Sequence, residues 1–236
     1  LEIRRGAWTE PELRLIPELV APGETAVDVG ANYGLWCWHL GRAVAPTGRV
    51  VAFEPVPATA RSLRRILTLL GLGKDVEIHA LGCGERHETR TFQIPSAGLG
   101  GPPIAGLAHM TGIESAREPT TLEANVVPLD AAVIHVNVSL LKVDVEGAEL
   151  FVLRGASGIL AEQQPTVICE IGRGLLRERY GIEPSSLVEL MRDHGYSIMR
   201  LEGERLKDAD LSHGHDGNYV FISERYRHRA AARLQT

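Results

Sequence analysis

The stretch TAVDVGANYG, Thr25 to Gly34, runs from an apolar strand straight into a turn that carries two glycines. Asp28 stands two residues before the first glycine, and Asn32 lies inside the turn. In an open parallel sheet, ligands sit beyond the carboxyl ends of the strands, beside a first strand that breaks in this way. The spacing here is Gly30-x-x-x-Gly34. The dinucleotide turn is G-x-G-x-x-G, and its middle glycine lets the backbone approach a pyrophosphate. Asn32 takes that middle place. A side chain there, with an acid nearby, is a poor cradle for two phosphates. It suits a ligand that carries an ammonium or hydroxyl groups instead.

Further apolar runs recur along the chain: RVVAF, VEIHAL, SLLKVDV, TVICEI, YSIMRL and NYVFIS. Several are apolar on both faces, as buried central strands are. Helical patterns alternate with them. In ATARSLRRILTLLG, Leu63, Ile66, Leu67 and Leu70 share one face, and Gly71 is a C-cap candidate. EPSSLVELMRDHG repeats that spacing through Leu187, Leu190, Met191 and His194, and GAELFVLRGASGIL is a third helix candidate. The alternation predicts an α/β fold with a mostly parallel sheet covered by helices on both faces. The last two runs have no helix between them. They predict a hairpin at the sheet edge and hence a mixed sheet.

The chain has 236 residues, 44% of them hydrophobic, which suits one sizeable domain. Residues 1–24 read as a helical lead-in and 224–236 as a solvated basic tail. Residues 94–120 are rich in Gly, Pro, Ala and Ser, lack a period and read as a lid or substrate loop. The net charge of −5 disfavours a nucleic-acid partner. Cys37, Cys83 and Cys169 are far apart, which argues against a disulfide framework or a zinc ribbon. No apolar run reaches membrane-spanning length and no signal peptide opens the chain, so a cytoplasmic setting is expected. The first residue is Leu1 rather than Met, which leaves room for a preceding piece. Oligomeric state is not legible.

The second strand ends in VVAFEPVP. Glu54 lies there, about 20 residues past the turn, where an acid accepts the hydroxyls of a ribose. The pocket therefore calls for an amine, a ribose and a base, without phosphate. S-adenosylmethionine meets that description. Two further strands also end in acids. SLLKVDVEGAE delivers Asp144, preceded by Lys142, and PTVICEIG delivers Glu170. Converging carboxylates over a ligand pocket support general-base chemistry or a divalent cation. The plainer reading of Glu170 is a partner for Lys142. For Glu146 and Glu149 it is stabilisation of a helix N-terminus. His109, in GLAHMTG, is a candidate base from the lid. SHGHDG, with His213, His215 and Asp216, reads as a polar turn rather than a metal site.

VDVGANYG, FEPVP, LKVDVEGAELFVLRGA, PTVICEIG and GNYVFI, in that order from about Thr25 to Ile222, resemble the FkbM-type methyltransferases. These are class I, S-adenosylmethionine-dependent enzymes that mostly O-methylate sugars, polyketides and other natural products. The resemblance implies a Rossmann-like seven-stranded sheet whose last strand is antiparallel. It assigns Asp28, Gly30, Asn32 and Gly34 to the methionine part of the cofactor and Glu54 to the ribose. It sets Ala80 and Leu81 beside the adenine, and matches Asp144 to the family's acid after the fourth strand. Some O-methyltransferases of this fold hold Mg²⁺ at the ends of the fourth and fifth strands, which makes Asp144 and Glu170 candidate ligands as well as candidate bases. Trp36 and Trp38 are bulkier than the family pattern and are expected to pack against the sheet.

The expected substrate is a small hydroxyl-bearing molecule. N-methylation of an amine or peptide side chain, a non-catalytic nucleoside-binding domain, and a nicotinamide-dependent oxidoreductase are the alternatives. The last of these lacks its middle glycine.

Overall fold

The computed structural model describes residues 10–94, 109–110, 120–211 and 215–234. The described residues begin with a 3₁₀ turn (Pro11–Leu15) and a short helix α1 (Ile16–Leu19) and continue through β1 (Thr25–Val29), α2 (Leu35–Val44), β2 (Arg49–Phe53), α3 (Pro57–Leu69) and β3 (Val76–His79). The short strands β4 (Gly82–Cys83) and β6 (His109–Met110) bracket β5 (Glu88–Ile94), and β7 (Thr120–Val127) follows. Next come α4 (Leu129–Ala132), β8 (Val138–Val143), α5 (Glu149–Arg154), β9 (Thr166–Ile171), α6 (Arg173–Tyr180) and α7 (Pro184–Asp193). The last strands are β10 (Tyr196–Glu202), β11 (Arg205–Asp208) and β12 (Gly217–Ser223).

The main sheet has the order β11-β10-β12-β9-β8-β1-β2-β3. Pairings from β3 across to β9 are parallel, and β12 runs antiparallel to both β9 and β10. The seven apolar runs occupy seven of these strands. The eighth, β11, pairs with β10 inside the connection read as a polar loop. Only Leu206 of its four residues is buried, so it lacks the apolar content by which the others are recognised.

Side chains alternate across a sheet, so register decides which ones share a face. Asp28 is level with Lys142, and Lys142 with Ile168. This face buries Ala26, Leu140, Ile168 and Val220 against Leu15, Leu40 and Leu63. The opposite face buries Val27, Phe53, Leu141 and Cys169 against Leu150, Leu187 and Met191. Polar groups in an otherwise apolar column are costly unless partnered. Asp28 and Lys142 sit at the carboxyl end of theirs, where the site lies.

A second sheet, β4-β7-β5-β6, stands over that end. Sequence reading missed it. β5 and β7 pair from Glu88–Val126 to Ile94–Thr120, so the segment read as a lid leaves and returns on their tips. Residues 95–108 and 111–119 of that segment lie outside the described residues. The signal was present but sparse: Phe92 and Ile94 on β5, and Ala124 and Val126 on β7, are buried, and their neighbours are largely polar.

Two further expectations change. The helix candidate after β8 is interrupted by a turn at Gly155 and Ala156 and resumes at Ser157, ending in a π-helical turn (Ile159–Gln163), and Gly155 packs so closely on Gly84 that a Cβ there would lie 1.9 Å from its carbonyl oxygen. The basic tail is docked rather than solvated. Arg229 grips both carboxylate oxygens of Glu24 at 2.6 Å, Arg233 pairs with Glu18 and Glu204, and Ala230 is buried. Among the described residues no helix is long and apolar enough to cross a membrane.

Candidate active site

The turn after β1 uses left-handed backbone at Gly30 (φ +83°), Asn32 (φ +47°) and Gly34 (φ +88°). The amides of Gly30 and Ala31 both donate to the Phe53 carbonyl, at 2.9 and 3.0 Å, which ties the turn to the end of β2. Glu54 follows directly and is 5% exposed. Its Oε2 accepts from the Asn32 amide at 3.1 Å and its Oε1 from the Val56 amide at 2.9 Å. Burial pushes its pKa up to about 7, against the pull of those two amides. Each carboxylate oxygen has a second acceptor direction, so both stay able to receive a ligand hydroxyl.

Glu54 lines a cavity of about 50 Å³. Gly30 and Asn32 line it on one side, and Leu81, Phe92 and Met110 supply an apolar wall. Leu81, expected beside the adenine, is part of that wall. Ala80 is exposed and is not part of the lining. Phe92 and Met110 come from the second sheet, and sequence reading passed over them.

A second cavity of about 300 Å³ adjoins the first through Gly30 and Asn32. Asp28 lines it, accepting the Cys37 thiol at 3.0 Å. Burial raises the Asp28 pKa to about 6, helped by the charges of Asp144 and Glu10 and opposed by Cys37 and Lys142. Lys142 is wholly buried. Its Nζ donates to Asn218 Oδ1 at 3.0 Å, stands 3.8 Å from Asp144 Oδ2 and lies 5.1 Å from the Trp36 ring centre. Burial works against its charge, but Asp144, Glu10 and Glu170 outweigh it and raise its pKa. Glu10 Oε2 accepts from Trp36 Nε1 at 3.0 Å and from Asn218 Nδ2 at 2.9 Å. Trp36 therefore does more than pack against the sheet: it lines the cavity and anchors Glu10. Trp38 turns away, edge-on to His39 and beside Arg42.

Asp144 directly follows β8 and lines both cavities, and also a third of about 150 Å³ with Glu170. Glu170 forms a hydrogen bond with Asp144. Burial, then the Asp144 charge and that bond, raise the Glu170 pKa to about 7, while Lys142 opposes. The acids expected at these two strand ends thus lie side by side. Among the described residues no group of three or more His, Cys, Asp or Glu side chains is placed to hold a metal ion, so the cation expected at Asp144 and Glu170 gains no support. The backbone of His109 pairs with Gln93 beside the first cavity. Its side chain, and His213, lie outside the described residues. Asp216 Oδ1 accepts the Arg173 amide at 2.9 Å, in keeping with a polar turn.

The strand order and the acids at the strand ends define a Rossmann-like fold of the methyltransferase class. The family model for the methyltransferase FkbM domain matches residues 28–198. This chain belongs to the FkbM methyltransferase family. It is 28% identical over 208 residues to methyltransferase sdnD of Sordaria araneosa, covering 77% of each chain. It is 31% identical over 152 residues to methyltransferase 1 of Beauveria bassiana, covering 55% of this chain and 57% of that one. Among solved structures, methyltransferase FkbM of Methylobacillus flagellatus KT superimposes with a TM-score of 0.52 at 18% identity. That match covers 85% of this chain and 44% of the other, so this chain spans less than half of that protein.

Proposed function

We propose that this chain transfers the methyl group of S-adenosylmethionine to a hydroxyl of a small molecule. The observation that carries this is the position of Asp144, hydrogen-bonded to Glu170 where all three cavities meet. The residues present fit the donor. Glu54 is placed for ribose hydroxyls beside an apolar wall, which suits a nucleoside. Asp28, Glu10 and Asp144 line the second cavity against the single positive charge of Lys142, an acidic excess that suits an ammonium and a sulfonium. Bound there, S-adenosylmethionine would supply a methyl on a sulfonium, whose sulfur keeps the bonding electron pair when the methyl leaves.

The chain's own part is alignment and proton removal. Alignment of two bound reactants can supply several kcal/mol of a barrier. The Asp144–Glu170 pair is set to take the acceptor's proton. A base whose pKa lies near the working pH serves best, and proton removal is worth roughly 10²–10⁴-fold. Lys142 stands 3.8 Å from Asp144 on the buried side. The lining favours a small acceptor over a nucleic acid, since carboxylates crowd the third cavity and the net charge is −5. The three free, buried cysteines suit a reducing, cytoplasmic setting.

The test is methyl transfer from methyl-labelled S-adenosylmethionine to a panel of hydroxyl-bearing and amine-bearing small molecules. Label on oxygen, lost in Asp144→Ala, supports the reading. Label on nitrogen alone contradicts the O-methyl assignment.

A further inference from the structure

We infer that the third cavity holds a protonated amine of the acceptor, anchored by Glu149, so that the substrate is an amino alcohol or amino sugar methylated on oxygen. This rests on the methyl-transfer reading above. Asp144, Glu146, Glu149, Glu170 and Asp216 line the cavity, and no Lys or Arg does. Each of these five acids has at least one partner. Glu146 meets Arg179 at 3.5 Å, Asp216 accepts the Arg173 amide, and Asp144 and Glu170 bond to each other.

Glu149 is different. It is 1% exposed. Its Oε1 accepts the Gly147 amide at 2.9 Å, while Oε2 is buried without a hydrogen-bond partner. A helix N-terminus would be served equally well by an exposed acid, so dipole stabilisation does not explain this burial. A buried carboxylate oxygen left unpartnered is costly, and a donor from outside the chain removes that cost. An ammonium offers three donors and a full positive charge to a ring of carboxylates. The cavity is small, about 150 Å³, with Leu175 on its wall, which suits an ammonium on a short apolar stem.

An ammonium has no lone pair and cannot accept a methyl. It is the handle, and a hydroxyl of the same molecule reaches Asp144, giving its proton to the Asp144–Glu170 pair as the new O–C bond forms. Asp144 lines this cavity and the donor-side cavities alike, so handle and acceptor are one short molecule apart.

The experiment is calorimetric titration of the full chain with 3-amino-1-propanol, 1,3-propanediol and N-acetyl-3-amino-1-propanol. It is run with and without S-adenosylhomocysteine, whose own titration reports separately on the methyl-donor reading. The amino alcohol is expected to bind at least about tenfold more tightly than either neutral analogue, the effect of one charged hydrogen bond. Glu149→Gln should bring it to the level of the diol while S-adenosylhomocysteine still binds. Asp216→Asn, at an exposed position, should weaken it by about threefold if Glu149→Gln does not fold. The inference is overturned by a diol that binds as tightly as the amino alcohol, by no binding of the amino alcohol, by variants that bind it like the wild type, or by methylation of its nitrogen.

Discussion

Gly30 is pressed against Asp144: a Cβ built on Gly30 would lie 1.8 Å from the Asp144 backbone carbonyl oxygen. The two residues directly follow neighbouring strands, and the Asp144 amide donates to the Val29 carbonyl at 3.0 Å. The glycine turn and the acid that faces all three cavities are therefore one rigid unit. Any side chain on the first displaces the second.

Gly30→Ala should accordingly fail twice. The clash is with backbone, which cannot swing aside, and φ is positive. The expected loss is on the order of 4 kcal/mol, a fall of roughly 10 °C or more in Tm for a domain of this size. Differential scanning calorimetry checks it. A wild-type Tm would show that the turn and β8 are not in contact.

Glu54→Gln should weaken the donor. One of the two backbone amides now bonded to the carboxylate would face an NH₂ group, which costs about 1–3 kcal/mol in a buried place. S-adenosylhomocysteine affinity should fall roughly tenfold through loss of a charged ribose acceptor. Unchanged affinity in a folded variant would remove Glu54 from the ribose.

Stability without ligand should fall as pH rises through neutrality. Glu54, Glu149 and Glu170 have pKa values near 7 and Asp28 near 6, all raised above the ordinary 4.5 and 3.8. Between the two sets of values the folded protein holds protons that the unfolded chain has released. Stability then decreases with pH, because the folded state binds more protons, and the decrease ends above about pH 7. Tm measured from about pH 5 to about pH 8 should drop, and Glu54→Gln should flatten the slope. A Tm that climbs across this window contradicts the burial of these acids.

Glu170→Gln should act on rate rather than on donor binding. The wild-type kcat/KM is expected to rise with pH through about 7 as the pair loses its shared proton. The variant should lose roughly 10²-fold or more in kcat and lose that limb of the profile. A variant with an unchanged profile would show that Glu170 only holds strands together.

Much of this arrangement was legible in the sequence. Seven of the eight main-sheet strands declared themselves by apolar runs, and the positions of Asp28, Glu54, Asp144 and Glu170 followed from where those runs end. What escaped reading had weaker or non-local signals. β5 and β7 bury only two residues apiece in a polar background, so Phe92 and Met110 could not be placed beside Leu81. The roles of Trp36 and Glu10 depend on Asn218, which lies near the other end of the chain. Glu149 reads locally as a helix-start acid, and only its burial distinguishes it. Ala80, expected beside the adenine, is exposed, while its neighbour Leu81 lines the cavity.

The most direct measurement is a calorimetric titration of the protein with S-adenosylhomocysteine, repeated with NADH and with the Glu54→Ala variant. Saturable binding of S-adenosylhomocysteine at one site per chain, none of NADH, and its loss in Glu54→Ala are the results expected of a methyl-donor pocket at Gly30, Glu54 and Asp144. NADH binding in place of S-adenosylhomocysteine, or Glu54→Ala binding it like the wild type, would contradict that assignment.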